Sequence, residues 1–170
     1  MNKRRSSPDS RHRTKPAKAT PCSAAPEVPP PLPVRVLVCD DQQFIRSFLR
    51  KSLTELGFAV VGEAAGGRAA VTMALKLKPD VVIMDVSMPD LNGIEATRRI
   101  LARAPGIRVL AFSTDGGPEV IKEMLAAGAH GFLLKTGDLV ELVLAIRKVQ
   151  AGESLVSTSS RKAPRISRWD

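Results

Sequence analysis

Apolar positions along the chain follow two alternating periods, one typical of strands and one typical of helices. Residues 34–39 are β-branched or apolar with one exception, as in a buried parallel strand. From Ile45 to Leu56 the apolar residues then recur at spacings of three and four, and Gly57 follows the last of them. This pattern predicts a strand followed by a helix that ends at the glycine.

The same alternation repeats four more times along the chain. The predicted strands are 34–39, 59–63, 81–84, 108–112 and 131–134, and the predicted helices are 45–56, 68–77, 94–103, 119–127 and 139–150. Strands that alternate with helices of about ten residues form parallel sheets with helices on both faces. The sequence therefore predicts an α/β domain with a doubly wound sheet.

The flanking segments differ from this domain in pattern and in charge. Residues 1–33 lack hydrophobic periodicity and include three consecutive prolines, so we expect a disordered N-terminal tail; we expect an ordered domain at 34–152 and a short tail at 153–170. The two tails carry +5 and +2 of the formal charge of +9. We interpret them as linkers, with non-specific contact to nucleic acid or anionic membrane as the alternative.

Cysteine content and hydropathy restrict the expected compartment. Cys22 and Cys39 are too few for a disulfide framework, and Cys39 lies in a predicted buried strand. No apolar run approaches the roughly 18 residues needed to span a bilayer, and no apolar segment follows the basic N-terminus. We therefore expect a cytoplasmic protein without a membrane segment.

Polar side chains follow four of the five predicted strands. They are Asp40 and Asp41, Asp85, Ser113 and Lys135. Each has an ordinary interpretation, since an Asp after a strand often caps the next helix and a Lys is usually solvated. Because ligands of open α/β sheets bind outside the carboxyl ends of the strands, we expect the four positions to converge.

Acids and a lysine at one site suit phosphoryl chemistry. A carboxylate can attack a phosphoryl group only if nearby cations neutralise the charge on its oxygens. The acids can hold Mg²⁺, which prefers oxygen ligands, and the lysine supplies a point charge. The sequence thus predicts a phosphorylatable metal site.

Four motifs in the predicted domain resemble the receiver domain of two-component response regulators. They are Val-Cys-Asp-Asp-Gln at 38–42, Val-Ile-Met-Asp-Val-Ser-Met-Pro-Asp-Leu-Asn-Gly-Ile-Glu-Ala at 82–96, Leu-Ala-Phe-Ser-Thr at 110–114 and Gly-Ala-His-Gly-Phe-Leu-Leu-Lys at 128–135. The resemblance covers residues 34 to about 152. It implies a flavodoxin-like (βα)5 fold with a five-stranded sheet in the order 2-1-3-4-5.

The resemblance also implies a role for each site residue. Asp85 accepts a phosphoryl group from a histidine kinase or phosphotransfer protein, with Lys135 as its cationic partner. Mg²⁺ is the implied cofactor, and its implied ligands are Asp40, Asp41, Asp85 and the backbone carbonyl of Ser87.

The implied conformational switch consists of Ser113, whose hydroxyl moves to the new phosphate, and Phe132, an aromatic residue that turns inward. An ordinary buried strand residue is the alternative interpretation of Phe132, which lacks the hydroxyl of a tyrosine. Ser87 and Asp115 occupy positions that tune phosphate lifetime in the family, so that lifetime stays unassigned. We interpret His130 as a strand-edge histidine and not as a phosphorelay residue.

The amino-acid sequence near the end of the domain resembles that of receivers that precede a LuxR-type helix-turn-helix output domain. Eighteen residues follow Gly152, fewer than the roughly 60 that such a module needs, so specific DNA binding is not expected from this chain. The resemblance also implies a downstream protein partner and a homodimer through the fourth and fifth helices.

Three alternative functions remain open at the sequence level. One is a truncated transcriptional regulator. Another is an aspartyl-phosphate phosphohydrolase, which would need a second carboxylate where Ser87 stands. A dinucleotide-binding domain is the weakest, because no Gly-x-Gly-x-x-Gly follows the first strand.

Overall fold

The computed structural model describes residues 32–136 and 138–157. Strands and helices alternate through them. In chain order they are β1 (Arg35–Cys39), α1 (Gln43–Glu55), β2 (Ala59–Ala64), α2 (Gly67–Leu77), β3 (Val81–Met84), α3 (Gly93–Arg103), β4 (Arg108–Ser113), α4 (Pro118–Ala126), β5 (Gly131–Leu134), α5 (Leu139–Gln150) and β6 (Leu155–Ser157). Most of the predicted N-terminal tail and the last residues of the predicted C-terminal tail, 158–170, lie outside the described residues.

All strand pairs in the sheet are parallel, and the strand order is β2-β1-β3-β4-β5-β6. The predicted doubly wound fold and the order of its first five strands are confirmed. Because the order reverses at β1 and β3, the connections to β2 and to β4 leave in opposite directions. A crevice for a ligand forms at that point, outside the carboxyl ends of β1 and β3.

A sixth strand extends the sheet beyond the five predicted from the sequence. β6 pairs with β5, with Leu155 opposite Gly131 and Ser157 opposite Leu133. It lies in the segment expected to be a tail. Gly152 turns the chain after α5 with a φ of 89°, a value that favours glycine. Three residues are too few to show a hydrophobic period, so sequence patterning does not reveal this strand.

Helices cover both faces of the sheet and form two apolar layers. One layer packs α1 and α5 against the sheet through Leu49, Leu53, Leu142 and Ile146. The other layer packs α2, α3 and α4, and Ile100 of α3 is fully buried in it. Each fully buried Leu or Ile contributes roughly 1.5–3 kcal/mol, so the layers hold the strand ends in a rigid frame.

Alternate residues of the central strands face opposite layers. In β3, Val81 and Ile83 belong to the layer of α1 and α5, whereas Val82 and Met84 belong to the other. All four are buried, which explains the uninterrupted apolar run in the sequence. None of the helices within the described ranges has the length and apolar character that crossing a bilayer requires.

Candidate functional site

The carboxyl ends of β1 and β3 bring three acidic side chains together. Carboxylate oxygens of Asp40, Asp41 and Asp85 lie within 4.8 Å of one another. Asp40 and Asp85 are 1% and 4% exposed, whereas Asp41 is exposed to solvent. The convergence that topology predicted is therefore present in the structure.

This acidic cluster has the donor chemistry that Mg²⁺ requires. Its side-chain donors are all oxygen atoms, and one carboxylate faces solvent, which leaves room for the water ligands that Mg²⁺ retains. Asp40 and Asp41 do not act as side-chain caps of α1; instead Asp40 Oδ1 accepts a hydrogen bond from the Gln42 backbone N–H at 2.9 Å. The residues present fit a divalent cation.

Lys135 brings one positive charge to the buried acids. Its Nζ lies 2.7 Å from Asp40 Oδ2 and 3.1 Å from Asp85 Oδ1, and its side chain is only 6% exposed. The backbone N–H of Lys135 donates to the Ser113 carbonyl at 2.7 Å, which fixes the start of the side chain beside β4. One ammonium thus serves two buried carboxylates, so this group keeps an excess of negative charge.

Burial controls the protonation of Asp85. Loss of solvent raises the pKa of its carboxyl group above the ordinary value, and the neighbouring charge of Asp40 raises it further. The charge and hydrogen bond of Lys135 lower the pKa, as does a backbone hydrogen bond from Ser87, but the net shift is upward. Burial and the neighbouring carboxylate therefore oppose ionisation of Asp85, and added positive charge at this site would favour it.

Ser113 and Phe132 lie on neighbouring strands beside Lys135. Ser113 is 1% exposed, and its Oγ accepts a hydrogen bond from the Asp115 N–H at 3.1 Å. Phe132 is fully buried in the layer of α2, α3 and α4, opposite Ala111 in the sheet register. The aromatic ring therefore already faces inward.

Arg46 is a site residue that sequence reasoning did not single out. Its Nη1 donates to the backbone carbonyls of Asp40 at 2.8 Å and Asp41 at 3.0 Å. Glu63, at the end of β2, lies 3.8 Å from Arg46 Nε and 2.7 Å from Arg50 Nη1. Arg46 therefore ties the loop of the acidic pair to α1 and β2.

The sequence offers little signal for this role of Arg46. It stands between apolar positions of an amphipathic helix, where a basic residue usually belongs to the solvated face. Its side chain is only 15% exposed, a fact that depends on how α1 packs.

The loop after β3 lies close to the backbone of Asp85. Gly93 donates its N–H to the Val86 carbonyl at 2.9 Å, and a Cβ on Gly93 would lie 2.0 Å from the Asp85 carbonyl oxygen. Only glycine permits this approach, which closes the loop over residues 86–92. Ser87 is exposed within this loop.

His130 makes structural contacts at the opposite edge of the sheet. Its Nδ1 accepts a hydrogen bond from the Val109 N–H at 3.2 Å, and its own N–H donates to the Val109 carbonyl at 2.8 Å. Burial lowers the pKa of the imidazole, and the charge of Arg108 lowers it further. These contacts fit the interpretation of His130 as a strand-edge residue.

Comparison with known proteins identifies the class to which this fold and site belong. Residues 36–147 match the sequence model of the response regulator receiver domain. The chain belongs to that family.

Two curated relatives illustrate the range of the family. The response regulator GacA of Pseudomonas viridiflava is 42% identical over 125 residues, which are 73% of this chain and 58% of that protein. The chemotaxis protein CheY of Thermotoga maritima is 39% identical over 115 residues, 68% of this chain and 96% of that protein. The chain thus matches somewhat more than half the length of GacA and nearly all of CheY.

Solved structures agree with the observed fold. A LuxR-family two-component response regulator from Aurantimonas sp. SI85-9A1 superposes with a TM-score of 0.71 at 35% identity, covering 74% of this chain and 91% of that one. The CheX-CheY-BeF3-Mg complex from Borrelia burgdorferi gives a TM-score of 0.65 at 28% identity, covering 69% and 90%. Both comparisons support a receiver fold.

Proposed function

We propose that this receiver accepts a phosphoryl group on Asp85 from a phosphohistidine of a histidine kinase or phosphotransfer protein. The observation that carries the proposal is the buried pair of carboxylates that share one lysine, beside an exposed third acid. Such an arrangement costs folding stability, because two anions are buried with one cation. A phosphoryl-transfer site explains why the excess negative charge is there.

In the proposed transfer a carboxylate oxygen of Asp85 attacks phosphorus. The new O–P bond forms an acyl phosphate, while the P–N bond of the donor breaks and its electron pair stays on the imidazole nitrogen, which takes a proton. Mg²⁺, when bound by Asp40, Asp41, Asp85 and the Ser87 carbonyl, supplies positive charge to the phosphoryl oxygens. The oxygen donors around Asp85 suit such an ion.

Lys135 and Ser113 act on the product of this transfer. Lys135 Nζ lies 3.1 Å from Asp85 Oδ1, so a short movement of its flexible stem transfers its charge to a phosphate oxygen. Ser113 Oγ accepts a bond from the Asp115 N–H, which leaves the hydroxyl proton to be donated to phosphate. The new phosphate thereby draws β4 and β5 toward the site.

Phe132 transmits this movement through packing. Its ring fills space in the apolar layer that contains Met124 of α4, and both side chains are fully buried. Because a close-packed layer admits few arrangements, a shift of β4 and β5 biases the position of α4. The domain then acts as a signalling switch that modifies itself once per cycle, and hydrolysis by water returns Asp85 and inorganic phosphate.

The output is proposed to be a protein contact. Leu125 of α4 and Val140 and Leu144 of α5 are exposed apolar side chains, which suit a downstream protein or a second copy of the chain. Light scattering with and without beryllofluoride tests the homodimer; a mass that stays that of one chain in both states contradicts it.

A role in transcription is the second candidate function. A transcriptional regulatory protein named DegU from Brevibacillus brevis, 35% identical over 124 residues, favours it. A phosphohydrolase is disfavoured, because the exposed Ser87 offers no carboxyl proton two residues after Asp85.

Mass spectrometry after incubation with acetyl phosphate tests the main proposal. We expect a Mg²⁺-dependent gain of one phosphoryl group that hydroxylamine removes, and we expect none in Asp85→Asn. Uptake that persists in the variant would place the acceptor elsewhere, and no uptake by the wild-type chain would refute the phosphorylation proposal.

A further inference from the structure

The first turn of α2 receives its cap from the loop after β3. Gly66 precedes the helix and has no side chain to cap it. Asp90 Oδ1 instead accepts a hydrogen bond from the Gly67 N–H at 3.1 Å, across 23 residues of sequence. A carboxylate at a helix N-terminus is favoured by the helix dipole and satisfies a buried N–H group.

The backbone is adapted to this contact on both sides. Asp90 has a φ of 66°, a left-handed conformation that non-glycine residues rarely adopt, and its Oδ1 also accepts from the Leu91 N–H at 2.7 Å. On the helix side, a Cβ on Gly67 would lie 1.9 Å from the Leu91 carbonyl oxygen. Glycine at 67 thus allows α2 to lie directly against the loop.

The same loop begins beside Asp85, whose carboxylate accepts a hydrogen bond from the Ser87 backbone N–H. Its two ends are closed by the bond from Gly93 to Val86, and Ser87 lies between that closure and Asp90. The Asp90 contact anchors the outer part of the loop to a helix that supplies no site residue. Asp90 therefore gives the loop that contains Ser87 an anchor outside the acidic cluster.

We propose that Asp90 is a positioning residue, which holds the Ser87 carbonyl at the cation site by capping α2 from the loop. The inference rests on the proposed function for the role of Ser87. Residues that orient metal ligands through a second contact typically change metal affinity about 10- to 100-fold when they are replaced. Loss of the anchor should therefore weaken Mg²⁺ binding as well as stability.

Two substitutions at Asp90 separate positioning from simple capping. Asp90→Gly keeps the left-handed backbone and removes the acceptor, whereas Asp90→Asn keeps both the backbone preference and an acceptor oxygen. The latter loses the 3.9 Å ion pair with Arg68, whose side chain is 74% exposed, so little else changes.

Asp80→Ala provides the matched control for stability. Asp80 Oδ2 also accepts a backbone N–H from another element, that of Arg35 at 2.8 Å, but it lies before β3 at the opposite edge of the sheet. Its removal should lower the melting temperature about as much as Asp90→Gly without affecting the cation site.

The first measurement is a Mg²⁺ titration by NMR amide shifts without phosphodonor, at a temperature well below each variant's melting point. We expect the half-saturating Mg²⁺ concentration to rise about tenfold in Asp90→Gly and to stay within about twofold of wild type in Asp90→Asn and Asp80→Ala. An Asp90→Gly protein that melts earlier but binds Mg²⁺ normally would overturn the inference.

A second measurement uses only the wild-type chain, in case Asp90→Gly does not fold. Linkage requires that Mg²⁺ binding strengthens the anchor if the anchor strengthens binding. Hydrogen exchange of the Gly67 amide should therefore slow severalfold when Mg²⁺ is added. An unchanged Gly67 exchange rate, with the Ser87 amide shifted by Mg²⁺, would contradict the coupling.

Parallel phosphorylation assays keep the two proposals distinct. If the wild-type chain binds Mg²⁺ but takes no phosphate, the proposed function fails and the titrations still decide the role of Asp90. If the wild-type chain binds no Mg²⁺, there is no cation for the loop to position, and the inference is overturned.

Discussion

The two edges of the sheet carry similar charged residues and use them in opposite ways. At the amino edge, Arg35 donates to the carbonyls of Lys78 and Leu77 at the end of α2, and Asp80 accepts the Arg35 N–H. These exposed charges satisfy backbone groups. At the carboxyl edge, Asp40, Asp85 and Lys135 are buried and paired with one another, with acids in excess.

This difference separates charges that support the fold from charges that serve chemistry. An exposed side chain that caps a backbone group contributes modestly to the free energy of unfolding, and its replacement has a small effect on stability. A buried group of two carboxylates and one ammonium is costly and sensitive to the loss of any member. The edges should therefore respond very differently to substitution and to pH.

The largest effect should come from Lys135→Met. Its removal leaves two buried carboxylates without a cation, and we expect a loss of about 3 kcal/mol in the free energy of unfolding, measured by urea denaturation at pH 7 with a chelator. Arg35→Met at the amino edge should cost only about 1 kcal/mol. Equal losses in the free energy of unfolding for Lys135→Met and Arg35→Met would contradict the proposed difference between the two edges of the sheet.

Arg46→Gln should have an intermediate effect. It breaks two charge-assisted bonds to the carbonyls of the acidic pair, and we expect a loss of about 1.5 kcal/mol in the free energy of unfolding. Arg50→Gln is the matched control, because Arg50 is 63% exposed and pairs with the same Glu63. Its loss should stay below about 0.5 kcal/mol; a larger loss than in Arg46→Gln would show that the Glu63 pair, not the loop, matters.

A smaller effect is expected from pH at the carboxyl edge. Burial raises the pKa of Asp85, so its favourable contribution is complete below the unfolded pKa near 3.8 and is lost as the pH rises through the folded pKa. In Mg²⁺-free buffer, Asp85→Asn should be more stable than wild type at pH 7, and the difference should shrink toward pH 4. Urea denaturation across this range checks the sign, and a variant less stable than wild type at pH 7 would contradict it.

The smallest effect is expected at the amino edge, with the opposite sign. Burial lowers the pKa of His130, so its contribution is complete above the unfolded pKa of about 6.5 and is lost as the pH falls through the folded pKa. His130→Asn keeps an acceptor for the Val109 N–H and does not titrate. Its stability relative to wild type should rise slightly from pH 7.5 to pH 5, and a flat difference would show that His130 does not contribute.

Much of the site could be predicted from the sequence because its placement follows from chain direction alone. Once five strands are parallel, residues such as Asp40, Asp85 and Lys135 must lie at one edge, whatever the details of packing. Their chemical roles at that edge remain predictions. The pairing of Lys135 with Asp40 as well as Asp85 was not foreseen, since it depends on a difference of tenths of an ångström between side chains.

The sequence by itself determined the strands and helices and the edge at which the acids converge, and its resemblance to receivers implied the strand order through β5. Periodicity and chain direction are local properties, which each segment carries in its own residues. Only the tertiary structure decided the hydrogen bonds from Arg46 to the loop of the acidic pair, the cap that Asp90 gives to α2 and the addition of β6. Each of these joins a group to another element of the sheet or its helices, and such contacts depend on packing distances that no local pattern records.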